Sequence, residues 1–151
     1  MRYWLMKSEP DEFSIDDFAA RPDQTIAWEG VRNYQSRNFM RNQMTVGDQV
    51  FFYHSCCKDP GIMGIAVVSK PAYPDATQFN PASKYFDPKA TQDNPRWFNV
   101  DIMLLHRTRP IPIKELRQYP QLNRMRVLQT GNRLSITPVD PAEWQFILRY
   151  L

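Results

Sequence analysis

Glycine is scarce in this chain, five residues in 151, and no two of them fall in the paired spacing of a phosphate loop or a dinucleotide fingerprint. A Gly-x-Ser-x-Gly elbow is also missing. His54 and Ser55 are adjacent in sequence, but a nucleophile and its base need a spatial triad with an orienting carboxylate. Cysteine is limited to Cys56 and Cys57, neighbours that rarely bridge each other and have no other partner, so reduced thiols in a reducing compartment are expected. His54 and His106 are the only histidines, which leaves no ligand set at metal-binding spacing, and neither a metal nor an organic cofactor is expected. No apolar run approaches the ~20 residues of a membrane helix. Met1-Arg2-Tyr3-Trp4 leads directly into a strand pattern, so the expectation is a protein without a targeting segment, cytoplasmic, or nuclear in a eukaryote.

Aromatic residues, by contrast, are plentiful at 13%, and with 42% hydrophobic residues overall they supply a packed core rather than a disordered chain. The length suits one domain over residues 1–151, expected to be monomeric and able to bury roughly 70% of its unfolded surface. The net charge of +3 is unevenly placed: residues 1–75 hold eight Lys/Arg against ten Asp/Glu, and residues 76–151 hold eleven against six. Eight of those eleven are arginines, whose planar guanidinium suits bidentate phosphate contacts. A basic half on a near-neutral chain is compatible with a nucleic-acid partner and equally with a solvated basic face.

A first strand is predicted over residues 2–7, ending in Lys7-Ser8-Glu9. Ser14 followed by acids at Asp16 and Asp17 predicts a short capped helix. Residues 33–43 suit a second helix, on which Asn33, Arg37 and Arg41 would share one face. Gly47-Asp48 turns into the strand 49–53, and Lys58-Asp59-Pro60-Gly61 turns back into an answering strand over 62–69, an antiparallel hairpin. Alternation of Phe98, Val100, Ile102 and Leu104 with Asn99, Asp101 and Met103 predicts a long strand over 96–107. Short helical turns over 112–118 and 120–128 and a strand at 134–136 follow. Asp140, Pro141 and Glu143 form an acidic capping box for a last helix, whose apolar face carries Trp144, Ile147, Leu148 and Leu151. Between Pro71 and Pro95 five prolines are expected to break regular structure throughout, and four aromatics should fold this loop down onto the domain.

Several side chains suit chemistry as well as packing. Trp28 precedes a charge and a glycine, which suits a loop, and a flat indole on a loop can stack a base; a core role is the other reading. Lys7 and Ser8 end the first strand and Tyr53, His54 and Ser55 end another, so polar groups there can read the edge of a base turned out of its stack, or simply satisfy the turn. Tyr85 and Phe86 are candidates for a second aromatic wall, or for loop packing. Arg32, Arg37, Arg41 and Lys84 are candidate phosphate contacts.

Taken in order, Trp4-Leu5-Met6-Lys7-Ser8-Glu9-Pro10, Trp28-Glu29-Gly30-Val31-Arg32-Asn33-Tyr34-Gln35, Tyr53-His54-Ser55, Pro60-Gly61-Ile62-Met63-Gly64, Trp97-Phe98-Asn99-Val100-Asp101 and Arg133-Leu134-Ser135-Ile136 resemble the EVE domain. This family belongs to the PUA-like group, together with the YTH readers of methylated adenine. The resemblance implies an α+β fold, a PUA-like mixed β-barrel with peripheral short helices. It also implies a domain that accepts a flipped, modified base, methylated or hydroxymethylated, of DNA or RNA. Trp28 matches the tryptophan wall of the YTH cage, Lys7-Ser8 matches the YTH Lys-Ser, and the Tyr53-His54-Ser55 segment matches one that lines the cavity. With these, Ser8, Asn33, His54 and Ser55 would read the base edge. Cleavage or signalling would then come from a separate nuclease or effector. Two alternatives stand beside this reading: a small amide or RNA hydrolase of the ASCH kind using Lys7, Glu9 and Tyr53, or a protein-interaction module.

Overall fold

Strand β3, Gln49–His54, reads Val50-Phe51-Phe52-Tyr53 without a polar break because both faces of the sheet around it are buried. The structure is a computed structural model describing residues 1–151. Its framework is a six-stranded mixed sheet in the order β2-β5-β4-β3-β1-β6, formed by β1 (Tyr3–Ser8), β2 (Thr25–Ala27), β3, β4 (Gly61–Pro74), β5 (Phe98–Pro112) and β6 (Ile136–Val139). β1 runs parallel to β3, with Trp4 opposite Val50 and Met6 opposite Phe52, and every other pairing is antiparallel.

Alternation along β1 and β3 divides the interior into two cores. Trp4, Met6, Val50 and Phe52 join Val100, Ile102 and Leu104 of β5 and Ile136 of β6 in the first. Leu5, Phe51 and Tyr53 join Ile111, Leu116 and Trp144 in the second. The first core draws residues from both ends of the strand order, so the sheet is curled around it as a barrel.

Helix α1 (Ile15–Ala20) is closed by a capping box between Ser14 and Asp17 and buries Ile15 and Phe18 in the first core. α2 (Tyr34–Asn38) takes Asn33 as its cap and passes into a π turn over Phe39–Gln43, in which the Met44 amide reaches the Phe39 carbonyl at 2.9 Å. The predicted 33–43 helix is therefore interrupted by a wider turn, and Arg37 and Arg41 still meet at Asn38 Oδ1. α3 (Ile113–Leu116) and two short 3₁₀ turns, Pro120–Leu122 and Arg126–Leu128, fill the predicted helical stretches.

α4 (Pro141–Tyr150) has the predicted capping box and Pro at its first turn. Trp144 lies between Tyr3, at 4.6 Å, and Phe51, at 3.9 Å. Leu148 departs from the prediction: it is 47% exposed, because the helix rests on the second core through the Trp144–Ile147 side. β4 departs as well, since it continues through Pro71 to Pro74. Those residues pair only with β5, and Pro71 falls between the Lys70–Asp101 and Tyr73–Asn99 pairs at a ladder irregularity, where a missing N–H costs no bond. No helix is long and apolar enough to cross a membrane.

Candidate functional site

A cavity of about 730 Å³ opens at one end of the barrel, within the size range of small-ligand sites. Its lining comes from the end of β1, from β2 and the turn after it, from the segment after β3, from the proline-rich loop and from the approach to β6. Trp28 belongs to both interior and cavity. Its backbone N–H donates to the Val100 carbonyl at 2.8 Å, its ring meets Phe52 edge-on at 6.0 Å, and it is only 9% exposed.

The next residues turn sharply. The Glu29 amide reaches back to the Ala27 carbonyl at 2.9 Å, and Gly30 takes φ +87°. Glu29 is pushed above its ordinary pKa by burial first and by the charge of Asp75 second. The Gly30 N–H donates to Asp75 Oδ2 at 2.8 Å, and the Tyr85 ring covers the glycine face. Asp75 has no exposed surface; it also accepts from Thr77 N–H at 2.8 Å, from the Thr77 hydroxyl and from Arg32 at 3.1 Å. Burial pushes the Asp75 carboxyl up, but these donors outweigh it and hold the group below its ordinary value.

Arg32 is spent within this network. Its Nε and Nη2 donate to the Tyr85 carbonyl at 3.2 and 2.8 Å, Nη2 also to Thr77 Oγ1 at 3.0 Å, and Nη1 to the Val31 carbonyl at 2.9 Å and to Asp75. These bonds use all of the donors that a guanidinium has.

The proline-rich loop is held just as firmly. The Gln78 amide donates to the carbonyls of Asp75 and Trp97 at 2.8 and 2.7 Å and accepts from the N–H groups of Arg96 and Trp97, both at 2.9 Å. Trp97 Nε1 donates to Asp87 at 2.8 Å, and the Lys84–Glu12 pair, at 2.7 Å, joins the loop to the segment after β1. On the β1 side of the rim, the Ser55 amide donates to the Ser8 carbonyl at 2.9 Å, the Lys7 amide to the Ser135 carbonyl at 2.8 Å, and Ser8 Oγ to the Phe13 carbonyl at 2.6 Å. Burial pushes Lys7 below the ordinary lysine value, with the nearby Cys56 acting in the opposite direction.

Of the residues singled out from sequence, Lys7, Ser8, Trp28, Arg32, Ser55, Lys84 and Tyr85 come together around this cavity. The others have different surroundings. Asn33 Oδ1 accepts the Ser36 amide at 3.0 Å as the α2 cap, so its acceptor is occupied. Tyr53 is 2% exposed in the second core, and burial pushes its phenol up to about 12. The Lys7, Glu9, Tyr53 set of the hydrolase alternative is therefore not assembled at one opening. His54 Nε2 accepts the Ile15 amide at 3.0 Å and anchors α1 instead of lining the cavity. Phe86 is 39% exposed and lies outside the lining, one residue beyond the position that faces Gly30.

Arg37 and Arg41 also lie outside it, on the α2 side, where both donate to Asn38 Oδ1. Arg32 does line the cavity, but as a saturated strut of the loop. Sequence reasoning passed over Phe13, Glu29, Gly30, Asn132, Arg133 and Ser135 as lining residues. A signal existed for part of them, since Glu29-Gly30 and Arg133-Leu134-Ser135 sit inside the words that carry the family resemblance.

The EVE domain family matches residues 2–150 of the chain. The chain belongs to the EVE-domain family. Human thymocyte nuclear protein 1 is 45% identical over 97% of this EVE chain and 72% of its own length. A crystal structure of a Pseudomonas syringae protein superposes with a TM-score of 0.91 at 47% identity, covering 97% of each chain. The crystal structure of human THYN1 in complex with 5-methylcytosine-containing DNA superposes with a TM-score of 0.92 at 44% identity, covering 99% of this EVE chain and 96% of that one.

Proposed function

We propose that this EVE domain is a nucleic-acid reader that takes a flipped, modified base of DNA into the cavity beside Trp28. The observation that carries the reading is the cavity itself: about 730 Å³, walled by Trp28 and Tyr85 and rimmed by polar strand ends, in a fold that superposes on a protein solved with 5-methylcytosine DNA. An indole and a phenol give a flipped base π surface to lie against, and stacking of this kind tolerates any base. Selectivity then has to come from polar groups that meet the base edge and from room for the added methyl. Among the polar side chains that line the cavity we assign this role to Glu29 and Ser55, since a carboxylate suits the exocyclic amine of a cytosine. Lys84 and Arg133 at the rim supply positive charge for the flanking phosphates.

The test is a titration of oligonucleotides identical except for one cytosine, 5-methylcytosine or 5-hydroxymethylcytosine, as DNA and as RNA, at one salt concentration. Tighter binding of a modified strand, lost in Trp28→Leu while the fold is retained, is the expected result. Equal affinity for all strands would refute the reader function.

A further inference from the structure

Outside the cavity, at the start of α2, a half-exposed aromatic ring stands among three arginines, of which only Arg96 is in an ion pair, with Asp87. Tyr34 is 46% exposed and stacks on the buried Trp97, with ring centres 4.8 Å apart and planes 24° apart. The Arg37 guanidinium is 4.6 Å from the Tyr34 centre and 5.9 Å from that of Trp97. A group capping the far face of Tyr34 would be much farther from Trp97 than that. Arg37 therefore packs over the Tyr34 ring without standing opposite Trp97, and Tyr34 keeps 46% of its surface exposed. Arg96 bonds to the Tyr34 hydroxyl, and its guanidinium is 5.8 Å from the ring centre.

Charge at this place is unbalanced. None of the ion pairs in the molecule involves Arg37 or Arg41, which share Asn38 Oδ1 instead. The carboxylate nearest to Arg96 is Asp87, 3.7 Å away and already bonded to Trp97 Nε1. Three guanidinium groups around a half-exposed ring, with the single carboxylate Asp87 beside them, suit a π face with an anion attached, which is a nucleotide.

We propose that the exposed part of the Tyr34 ring, with Arg37, Arg41 and Arg96, is a second nucleic-acid contact, which stacks one base flanking the read position and holds its phosphate. It rests on the reading that the protein binds nucleic acid. Continuity with the cavity supports the placement. Arg32 lies 5.4 Å from the cavity-lining Tyr85 ring and 5.3 Å from Trp97, against which Tyr34 stacks. Three such steps bring Tyr34 within about five nucleotides of the cavity at the ~3.4 Å spacing of a duplex strand.

The experiment uses single-stranded DNA carrying either cytosine or 5-methylcytosine, with an abasic site moved through each flanking position. Wild-type protein should lose about 5- to 150-fold in affinity at one flanking position, the value of a single stacked base. Tyr34→Ala should lose the same factor on both strands and gain no further loss from that abasic site, while Tyr34→Phe retains binding. An abasic scan of the wild type that is flat at every flanking position overturns the proposal, and needs no variant to fold. A flat scan with intact preference for 5-methylcytosine removes the platform and leaves the reader. A Tyr34-dependent scan without any preference removes the reader and leaves the platform. Absence of binding to either strand removes both.

Discussion

The Tyr85 ring lies so close to the Gly30 backbone that a β-carbon at Gly30 would stand 2.7 Å from Tyr85 Cζ. Gly30 also holds φ +87°, so Gly30→Ala meets backbone strain of about 1–2 kcal/mol and a displaced ring together. In a Tyr85→Ala background only the backbone cost remains. A double-mutant cycle by denaturant unfolding should give a coupling of about 0.5–3 kcal/mol. Simple additivity would show that the ring does not rely on the glycine.

Trp28 works on two sides at once, and its substitutions should separate them. Because it is 9% exposed and packs on Phe52, Trp28→Ala should cost about 3–5 kcal/mol of stability in melting or denaturant experiments. Trp28→Phe keeps part of the packing and a smaller ring. It should weaken binding of a modified oligonucleotide more than it lowers the melting temperature. A Trp28→Ala protein as stable as wild type would place the indole outside the core.

Two kinds of group tie stability to pH. Asp48 accepts from the Arg2 amide, the Trp4 indole and Thr45, and Asp75 from Thr77, Gly30 and Arg32; in each case these bonds outweigh burial and depress the pKa. Their contribution is present above the unfolded value of about 3.9 and is lost as pH falls through the lower folded value. His54 is depressed by burial, with Asp16 opposing, and it is a base. The unfolded chain then takes up a proton first, so stability declines as pH falls below about 6.5 toward the folded value. Unfolding free energies from pH 8 to 3 should show both phases. His54→Gln should remove the upper one, and Asp75→Asn should shrink the lower one.

Features set by neighbours in sequence were legible, and those set by distant partners were not. The Ser14 cap of α1 and the capping box of α4 need only residues close in sequence, and both are present as read, with Asp17 completing a box at α1 as well. Trp28 was legible because Glu29-Gly30 marked a loop, and the polar strand end at Lys7-Ser8 because the apolar run stopped there. His54 was not: the amide that occupies it belongs to Ile15, 39 residues away. Asn33 has an oxygen equally suited to a cap or a base edge, and only the helix that begins at Tyr34 decides between them. Tyr53 continues the apolar side of β3, and the second core that buries it is completed by α3 and α4 from the far end of the chain.

Arg32 and Arg133 provide the last contrast, since both line the cavity and carry the same charge. Arg32 is committed to Tyr85, Thr77, Val31 and Asp75, and its removal would leave the unexposed Asp75 without its cation. Arg32→Ala should therefore destabilise the protein by about 3 kcal/mol, in line with breaking a buried pair. Its effect on the salt dependence of binding should be small, because no donor was free for a phosphate. Arg133 is exposed and forms no ion pair within the chain. Arg133→Ala should leave unfolding within about 0.5 kcal/mol of wild type. It should also flatten the slope of log affinity against log salt by about one, the loss of one phosphate contact. Unfolding curves beside titrations at four salt concentrations check both halves. A slope that follows Arg32 instead of Arg133 would mean that the loop network opens when the strand binds.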